Sequence, residues 1–502
     1  MSGSTPTIWI LGDQLHRHHG ALAGHGPDTC RVLMIESRAL LMQRRWHRQR
    51  LHVVLSAMRH FADELRHEGF SVDYRVADTL ADGLQAHRKE HQPVEVIAAT
   101  PFSHQGVDRL TALDVTLVPH RFFITDVATV RAWAADRKRF RMEDFYRWQR
   151  QHMGILMDGA EPEGGRWNFD ADNREPPPRD GRNWPEFTRF DADSIDDAVQ
   201  ADIDSWGVPV WGAGPSGEWP VNRAQAAQRL AEFIDRALPT FGAHEDAMLK
   251  AEWKLAHSTL SSSMNLGLLH PEDVARAAES AYASGAVPLN SAEGFIRQVI
   301  GWREYVWSVY WLWGPEYRHR NHLNADQRVP PAFTGDATTE MACVASTVAG
   351  IEGRAYAHHI ERLMVLGNLA LTVGVDPQAM TDWMTASFID GAEWVMVPNV
   401  VGMALHADGG MMATKPYASG GAYINKMSDH CRDCRFDPKK RTGENACPFT
   451  SLYWDFLARN ETALQGNHRL GQQLAGMRRL ADLEQTRARA AEVRTSLANG
   501  TL

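Results

Sequence analysis

Four cysteines that are far apart in the sequence constrain the fold of this chain more than any other feature. Cys431 and Cys434 form a C-x2-C pair, Cys447 follows after twelve further residues with Pro448 directly behind it, and Cys343 lies far upstream. Four thiolates in such a pattern are typical of an iron–sulfur cluster, which requires the fold to bring Cys343 to the other three. A structural zinc ion also takes four thiolates, and the spacing alone does not exclude it.

The length and the cysteine content indicate a large, reduced protein. A chain of 502 residues can bury two substantial cores, so we expect two domains. Five cysteines are too few for a disulfide framework, and thiolate ligands must stay reduced, which predicts a cytoplasmic location. No apolar run approaches the roughly twenty residues of a membrane span, and the N-terminus lacks a signal-peptide pattern. We therefore expect a soluble, unprocessed protein without a membrane partner.

The net charge of -9 argues against an overall attraction to nucleic acid. Any site for a polyanion must therefore be a local basic patch, and such patches occur within residues 44–50, 137–141 and 439–441. Acidic residues concentrate between Asp191 and Asp204. Because most charged patches are solvated surface, we expect at most one of the basic patches to contact a ligand.

The first part of the chain has the pattern of an α/β domain. Short apolar stretches at 7–11, 31–35, 70–76 and 94–98 alternate with helical spacing, which is clearest over residues 53–65. This alternation predicts a Rossmann-like parallel sheet covered by helices, with ligands beyond the strand ends. No G-x-G-x-x-G motif occurs in it, so a dinucleotide site is not indicated.

A change of composition divides the chain. Between Gly159 and Pro220, glycine, proline, aspartate and tryptophan are frequent and periodicity is weak, as in a connection between domains. From Phe241 onward apolar residues keep helical spacing and strand signals nearly vanish. We predict an α/β domain over residues 1–135, an interdomain connection over 136–240 and an all-helical domain over 241–502.

One helical segment of the last part combines an apolar face with unusual polar groups. Residues 355–368 are predicted to form a helix, on which His359 and Arg362 project to the same side because they are three residues apart. A single core histidine is usually only hydrogen-bonded. Two consecutive histidines, His358 and His359, next to an arginine indicate proton exchange, because imidazole titrates near neutral pH.

Several motifs together give the chain a resemblance to a known family. They are Ile10-Leu-Gly-Asp-Gln-Leu15, Ser56-Ala-Met-Arg-His-Phe61, Gly165-Arg-Trp-Asn-Phe-Asp170, the segment 295–305, Tyr356-Ala-His-His359, Ala407-Asp-Gly-Gly410, Thr414-Lys-Pro-Tyr417 and the segment 423–429 that leads into the cysteines. Over essentially its whole length the chain resembles the cryptochrome and photolyase family, in its bacterial iron–sulfur branch. The resemblance favours iron over zinc at the four cysteines.

The resemblance implies a fold, cofactors and a substrate. The fold is an N-terminal α/β antenna domain followed by an all-α domain that holds FAD, with a [4Fe-4S] cluster near the C-terminus. The implied antenna is 6,7-dimethyl-8-ribityllumazine, and Mg2+ is an implied ion at Asp170. Members of this branch repair the (6-4) photoproduct of damaged DNA under blue light, and some are photoreceptors. We expect a monomer.

The resemblance also implies roles for individual residues. The implied FAD contacts are Ser258, Thr259, Leu260, Ser261, Gln298, Arg303, Arg362, Asp390, Met396 and Asn399. The implied lesion-facing residues are His358, His359, Tyr417 and Tyr423, with a histidine as the proton donor, and Arg174 is the implied DNA contact. The implied antenna contacts are Gly12, Asp13, Gln14, Glu36 and Leu51. Ser258 has a second interpretation, as the N-cap of a helix.

Some positions depart from the family pattern. Trp383 matches the first member of an aromatic electron relay, but Met384 follows it and Phe333 stands near the distal tryptophan position. Because phenylalanine is much harder to oxidise than tryptophan, the usual route is expected to be broken. The tryptophans within residues 302–313 are an alternative route. Met396 stands where an acidic or amide side chain commonly faces flavin N5.

Three functions remain open at this point. The first is light-driven repair of DNA, and the second is a photoreceptor that signals through a change of flavin redox state. The third is an electron carrier without light chemistry. The paired histidines favour repair, because a receptor needs no proton donor at a lesion site. The antenna-like domain argues against a simple carrier.

Overall fold

The computed structural model describes residues 5–502, which begin with a five-stranded parallel sheet. The strands of the described chain are Thr7–Trp9 (β1), Arg31–Ser37 (β2), Trp46–His47 (β3), Ser71–Ala77 (β4), Val96–Ala99 (β5), Thr116–Val118 (β6), Met157–Asp158 (β7), Glu161–Pro162 (β8) and Val210–Trp211 (β9). The sheet order is β4-β2-β1-β5-β6, and Thr7 pairs in parallel with both Arg31 and Val96. The predicted α/β architecture of this part is confirmed.

Helices account for most of the remaining structure. The α-helices up to residue 241 are Arg38–Leu41 (α1), Arg48–His67 (α2), Leu80–His91 (α3), His104–Ala112 (α4), Val127–Ala134 (α5), Met142–Met153 (α6), Ser194–Ser205 (α7), Arg223–Glu232 (α8) and Leu238–Phe241 (α9). Beyond residue 241 they are Ser261–Leu266 (α10), Pro271–Ala283 (α11), Leu289–Ile296 (α12), Glu304–Trp313 (α13), Ala342–Arg354 (α14), Asn368–Val373 (α15), Pro377–Ser387 (α16), Glu393–Val397 (α17), Gly421–Met427 (α18), Pro448–Arg459 (α19), Glu461–Leu464 (α20), Gly471–Arg478 (α21) and Leu483–Asn499 (α22). Short 3-10 turns cover Glu163–Gly165, Pro315–His319, His430–Arg432 and His468–Leu470.

Four π-helical segments interrupt or extend these helices in the described chain. They are Phe233–Ala237, Arg297–Arg303, Glu361–Gly367 and Pro398–Ala404. A π-helical turn accommodates an extra residue in a helix, which changes the direction of the side chains that follow, and such turns often mark functional sites.

The central strands of the sheet are buried because helices cover both faces. In β2 every residue from Val32 to Ser37 is buried, which matches the continuous apolar run of a parallel strand. Helix α2 buries Leu51, Leu55 and Leu65 among others, and α3 starts with a capping box between Thr79 and Asp82. These helices fix the sheet against the rest of the chain.

The segment predicted to connect two domains contains structure of its own. It includes α6, α7 and α8, and its strand β9 pairs with β3, with Trp46 opposite Val210. From Phe241 onward, the described elements are helical, as expected from the spacing of apolar residues. Within residues 5–502, no helix is both long and apolar enough to cross a membrane.

Candidate functional site

A cavity of about 510 Å³ lies among the helices of the C-terminal part. The residues implied to contact FAD that line it are Ser258, Thr259, Ser261, Gln298, Arg303, Arg362, Asp390, Met396 and Asn399. Leu260 is fully buried and does not line it. The volume is within the range of sites that hold cofactors, roughly 300–1,000 Å³. The fold therefore brings together residues from five separate stretches of sequence.

Three of the π-helical segments supply side chains to this cavity. Gln298 and Arg303 belong to the first, Arg362 to the second and Asn399 to the third. Because the extra residue of a π turn changes which side chains face inward, this local distortion explains how neighbouring helices all direct polar groups into one space. Simple helical periodicity in the sequence does not reveal it.

The segment from Ser258 to Ser261 reaches the cavity just before α10. Its backbone turns sharply at Thr259, where φ is 55°. The N-cap residue of α10 is Leu260, and the Ser258 hydroxyl only accepts a 3.4 Å hydrogen bond from the Leu260 amide. The interpretation of Ser258 as an N-cap is therefore wrong. Thr259 accepts a hydrogen bond from Arg229 at 3.1 Å, while Ser258 and Ser261 line the cavity.

An ion pair forms one wall of the cavity. Arg362 Nη1 lies 2.9 Å from Asp390 Oδ1, and Arg362 Nε donates to the carbonyl oxygen of Ala357 at 2.6 Å. Its guanidinium also stacks 4.1 Å from the ring centre of Phe388. With two bonded nitrogens and one stacked face, Arg362 is held in a single orientation.

Arg303 forms a second polar wall, and one of its nitrogens is free. Arg303 Nη1 lies 2.7 Å from Glu304 Oε1, and the guanidinium stacks over Trp394 at 5.1 Å. Its Nε is buried without a hydrogen-bond partner among the described residues. A buried donor without a partner costs free energy, so it indicates a place for an acceptor atom of a ligand.

The two consecutive histidines lie in different environments. His359 lines the cavity, its side chain is 44% exposed, and its Nε2 lies 3.1 Å from Asp246 Oδ1. The His358 side chain is only 1% exposed, and both of its ring nitrogens lack hydrogen-bond partners in the described structure. His358 stacks on His257, with ring centres 4.6 Å apart and planes at 18°. Only His359 is placed to meet a substrate.

The helix that carries His359 begins later than the sequence indicates. Ala355 ends α14 in a left-handed conformation with φ of 56°, residues 356–358 are irregular, and helical structure resumes at His359. The prediction of one helix over 355–368 is wrong for its first four residues. The break turns His358 into the protein interior.

Burial controls the protonation of the groups around His358. Loss of solvent lowers the pKa of both His257 and His358 well below the usual value, so both imidazoles are neutral. Burial also raises the pKa of Glu361 to about 7 and that of Glu245 to about 8. The Glu361 carboxylate accepts a 3.1 Å hydrogen bond from the His358 amide.

The lesion-facing residues other than the histidines are only partly grouped. Tyr417 and Arg174 line the cavity, whereas Tyr423 does not. Arg174 is 63% exposed at its side chain and lies 2.9 Å from Asp170 Oδ2. The other oxygen of Asp170 pairs with Arg297. Because arginines hold both of its oxygens, Asp170 does not fit the implied role of a Mg2+ ligand.

The aromatic residues form two separate groups. Trp383 does not line the cavity, although its neighbour Met384 does, and Trp383 packs 5.3 Å from the fully buried Phe333. The second group consists of Trp394, which lines the cavity, followed by Trp307 at 5.7 Å and Trp311 at a further 5.4 Å. The second group leads from the cavity to Trp311, which is half-buried.

Sequence reasoning missed three residues of this site. Asp246 contacts His359 and His257 stacks on His358, each across more than one hundred residues of sequence. No local motif marks either residue. The only local signal for His257 is that it directly precedes Ser258. Trp394 lies in α17, and its place in the cavity depends on the packing of α17 against α13.

The four cysteines converge in one small, mostly apolar pocket. Cys343, Cys431, Cys434 and Cys447 line it together with Met341, Gly421, Ile424, His430, Phe436, Pro448 and Phe449. Among the clusters of three or more ligating side chains within 4.8 Å of one another in residues 5–502, none contains a cysteine. The four sulfurs therefore surround a space wider than that of a single tetrahedral ion.

Without a metal, the thiols of this pocket resist deprotonation. Burial raises the pKa of Cys343 well above its usual value and that of Cys431 to about 12. Repulsion among the neighbouring sulfurs also raises these pKa values. A positively charged metal group restores thiolates, so the donor set fits such a group.

The residues implied to contact an antenna lie around the carboxyl end of β1. After β1 the strands are added on one side of it, as β2 and β4, and then on its other side, as β5 and β6, so the strand order reverses between β1 and β5. Gln14 Nε2 donates to the Thr100 carbonyl at 2.9 Å across this gap between β1 and β5. Such a switch point is where open α/β sheets bind ligands. Asp13 is half-buried, and its loss of solvent raises its pKa to about 6.

Other polar groups of this region are already paired. Glu36 accepts two hydrogen bonds from Arg59, at 2.8 and 2.9 Å, and a third from Tyr74. Gly12 packs so closely on Met58 that an added Cβ would lie 2.8 Å from the sulfur. Leu51 is buried in α2. Glu36 therefore has little capacity left for a ligand.

An electrostatic link joins this region to the cavity. Arg50 donates to the carbonyl oxygens of Thr385, at 3.0 Å, and Gly391. Burial lowers the pKa of Arg50 to about 10, while the nearby charges of Asp390 and Asp13 act in the opposite direction. Arg50 thus lies between Asp13 at the sheet and the Arg362–Asp390 pair at the cavity.

Comparisons with known proteins give the chain clear relatives. Residues 8–219 match the family described as deoxyribodipyrimidine photo-lyase-related protein. A protein of Agrobacterium fabrum named (6-4) photolyase is 42% identical over 488 residues, which cover 95% of this chain and 96% of that protein. An uncharacterized protein of Acanthamoeba polyphaga mimivirus is 30% identical over 107 residues, 21% of this chain and 80% of that protein.

A solved structure has the same overall fold. It is the crystal structure of a bacterial class III photolyase from Agrobacterium tumefaciens, which matches with a TM-score of 0.59 at 16% identity. The match covers 99% of both chains. At this identity the likeness concerns the fold alone.

Proposed function

The chain belongs to the photolyase family, in the branch of the bacterial (6-4) photolyases, and we propose that it repairs (6-4) photoproducts in DNA under blue light. The observation that carries this proposal is the cavity in which His359, paired with Asp246, shares a space with the Arg362–Asp390 pair. A proton-exchanging group next to a cofactor-sized cavity is what this repair requires.

The cavity fits FAD by its volume and by its unpaired polar groups. Arg303 Nε and the hydroxyls of Ser258 and Ser261 would hold the cofactor, with Gln298 and Asn399 as further hydrogen-bond partners. The chemistry supplied by reduced FAD when bound is the donation of one electron after absorption of light. The protein supplies position, charge and protons.

The Arg362–Asp390 pair sets the charge of one wall. Its guanidinium is fixed by Asp390 and by the Ala357 carbonyl, so it presents a positive charge in one place. A fixed positive charge stabilises negative charge nearby more strongly in a water-poor cavity than in solution. We assign this role to Arg362, with Asp390 as its positioning partner.

His359 is the proton donor in this proposal. Its Nε2–H donates to Asp246, which leaves Nδ1 as the nitrogen that exchanges a proton with the substrate. Asp246 also fixes the orientation of the His359 ring through this charge-assisted hydrogen bond. His358 is buried and neutral, so its role is to pack beneath His359 with His257 and not to transfer protons.

DNA reaches this site only if the damaged nucleotides leave the duplex. A base inside a duplex is not accessible to a cavity, and lesions unstack at lower cost than normal pairs. The exposed guanidinium of Arg174 at the cavity edge fits a phosphate contact, and Tyr417 offers a ring against which a base can stack.

The cysteine pocket supports a [4Fe-4S] cluster over zinc. One zinc ion holds four thiolates at about 2.3 Å, which places their sulfurs roughly 3.8 Å apart. In the described residues no three cysteine sulfurs lie within 4.8 Å of one another. A cuboidal cluster is larger and suits the wider arrangement. The group would tie α14, which carries Cys343, to the loop before α19.

A lumazine antenna at the switch point completes the proposal. Gly12, Asp13 and Gln14 follow β1 at the place where the sheet topology favours a ligand. Arg50 connects this place to Asp390 at the cavity. Absorption and fluorescence of the purified protein after removal of FAD test whether a second chromophore is bound.

The function is tested with an oligonucleotide that carries one (6-4) photoproduct. The purified, reduced protein is illuminated with blue light, beside a dark control and a cyclobutane-dimer substrate. We expect light-dependent loss of the (6-4) lesion alone. If FAD is bound and neither lesion is repaired, the photoreceptor alternative replaces the repair proposal.

A further inference from the structure

The acidic stretch between Asp191 and Asp204 has no role in the repair site, yet its first turn is unusually organised. Asp193 caps α7, and its Oδ1 accepts hydrogen bonds from the amides of Ile195 at 2.8 Å and Asp196 at 3.1 Å. Asp196 returns the contact, because its Oδ2 accepts from the Asp193 amide at 3.2 Å. Each carboxylate thus uses one oxygen for the helix and keeps the other free.

The two free oxygens face the same histidine on α2. Asp193 Oδ2 lies 3.5 Å and Asp196 Oδ1 lies 4.0 Å from His60 Nε2. Both distances exceed the roughly 2.7–3.2 Å of a hydrogen bond to nitrogen. Asp196 is only 5% exposed, and its Oδ1 has no hydrogen-bond partner in the described structure. A buried carboxylate oxygen without a partner requires a compensating charge.

The separations match those between ligands of one metal ion. Ligand atoms at about 2.0–2.1 Å from a tetrahedral ion are roughly 3.3–3.4 Å apart. The 3.5 Å separation of His60 and Asp193 is close to this value, and the 4.0 Å separation of His60 and Asp196 is longer. The three atoms all lie within 4.8 Å of one another. We propose that His60, Asp193 and Asp196 form a binding site for a divalent transition-metal ion of the zinc type.

No cation of the protein occupies this position. In the part of the chain that the structure describes, neither Asp193 nor Asp196 forms an ion pair with an arginine or lysine. The nearest arginine on α2, Arg59, is engaged by Glu36 and by Asp202 at 2.7 Å. The unpaired carboxylates are therefore available to an external ion.

In a second cluster of aspartate and histidine side chains, an arginine already neutralises the carboxylate. Asp73, His87 and His91 also have ligand atoms within 4.8 Å of one another. There, however, Arg75 lies 2.7 Å and His87 Nδ1 lies 2.6 Å from the same oxygen of Asp73. The arginine already supplies the positive charge, so this cluster serves as the internal comparison and not as a metal site.

His52 positions the ligands from behind. Its Nε2–H donates to the main-chain oxygen of Asp196 at 3.2 Å, in a buried contact between α2 and the first turn of α7. The Asp193 side chain is 57% exposed, so a water molecule can complete the coordination from the solvent side. An ion at this site would fasten α7 to α2, and thereby fasten the segment between the sheet and the helical part.

The test uses the full-length protein after dialysis against a chelator. Zinc is titrated by calorimetry, and Co2+ is used as a spectroscopic probe, because its visible bands report tetrahedral coordination. The variants are Asp193→Asn, His60→Gln and His52→Ala, and the controls are Asp197→Asn on α7 and His67→Ala on α2. Asparagine is as good an N-cap as aspartate, so Asp193→Asn keeps the helix start.

We expect one zinc site in the wild type and in both controls. Its affinity should fall by more than roughly 100-fold in His60→Gln and Asp193→Asn, and by about 10- to 100-fold in His52→Ala, which changes only a supporting contact. Added zinc should raise the melting temperature of the wild type and leave that of His60→Gln unchanged. Absence of zinc binding in the wild type, or equal affinity in His60→Gln, overturns the proposal.

Discussion

The cavity around Arg362 and the cysteine pocket around Cys343 lie in the same helical part of the molecule but differ in the state of their polar groups. The cavity has a volume of about 510 Å³ and contains an arginine nitrogen without a partner and a half-exposed histidine. The cysteine pocket is lined by the four cysteines and mostly by apolar side chains. One is prepared for a large ligand and an incoming substrate, and the other encloses a compact group.

This difference gives the two proposed sites separate duties. Residues of the cavity can be reached by substrate, so their substitution should change chemistry. Residues of the cysteine pocket join distant segments of chain, so their substitution should change metal content and stability. The following experiments challenge this division, beginning with the largest expected effect.

Removal of one thiolate should abolish the cluster. In Cys434→Ala we expect loss of bound iron and of brown colour, because three thiolates leave one corner of the cluster without a ligand. Cys30→Ala is the matched control, since Cys30 is the fifth cysteine and lies buried near the sheet, away from the pocket. Iron analysis per mole of protein decides, and wild-type iron content in Cys434→Ala contradicts the ligand assignment.

Removal of the charge beside His359 should weaken repair without loss of cofactor. A charge-assisted hydrogen bond contributes roughly 1.5–3 kcal/mol, so Asp246→Asn is expected to slow repair by about 10- to 100-fold. Iron content and bound flavin should equal those of the wild type. Repair is measured under single-turnover illumination. An unchanged rate would show that Asp246 does not support the proton donor.

The buried histidines should make the protein sensitive to acid. Because the folded pKa of His257 is lowered, its contribution to stability is complete above pH 6.5 and is lost as the pH falls toward the folded value. At pH 5.5 this loss is about 1.4 kcal/mol for one such group. We expect His257→Asn to lose less stability than the wild type between pH 7.5 and 5.5.

Chemical unfolding at the two pH values measures this difference. His67→Ala is the control, because the His67 side chain is 78% exposed and should not contribute. An identical pH dependence of stability in His257→Asn and the wild type would mean that His257 is not held neutral by the fold.

The two aromatic groups should differ in electron supply, with the smallest of these effects. Trp394 lines the cavity and continues to Trp307 and Trp311, whereas Trp383 contacts the rings of Phe333 and Phe388, which are much harder to oxidise. We expect Trp394→Phe to slow light-driven reduction of bound flavin by an added thiol more than Trp383→Phe does. Absorbance during illumination measures both rates. If Trp383→Phe slows the reduction more than Trp394→Phe does, the electron route runs through Trp383.

Much of the fold could be predicted from the sequence because its signals are local. The apolar stretch 31–35 and the helical spacing after it correspond to β2 and α2, and the spacing of apolar residues beyond 241 corresponds to helices. The meeting of the four cysteines followed from chemistry, since a shared metal group requires it. The residues implied to hold FAD came from the family resemblance, and all but Leu260 line one cavity.

The remainder depends on long-range packing that leaves no local trace. Ala355 ends a helix in a left-handed conformation, and no glycine at this position predicts the end. After this break His358 is buried and His359 faces the cavity. The π-helical turns that carry Gln298 and Arg362 are not marked by the spacing of apolar residues in the sequence. The resemblance implied a cation at Asp170, but the nearby Arg174 and the distant Arg297 each hold one of its oxygens.

The most direct test of this account is the repair rate of His359→Gln beside that of His358→Gln, on a single (6-4) lesion under blue light with equal bound flavin. Both substitutions keep a polar side chain, and only His359 lines the cavity. We expect repair by His359→Gln to fall by about 10²- to 10⁴-fold, the usual contribution of a positioned acid, with a much smaller loss in His358→Gln. Equal repair by His359→Gln and the wild type would contradict the assignment of the proton donor and of the cavity as the repair site.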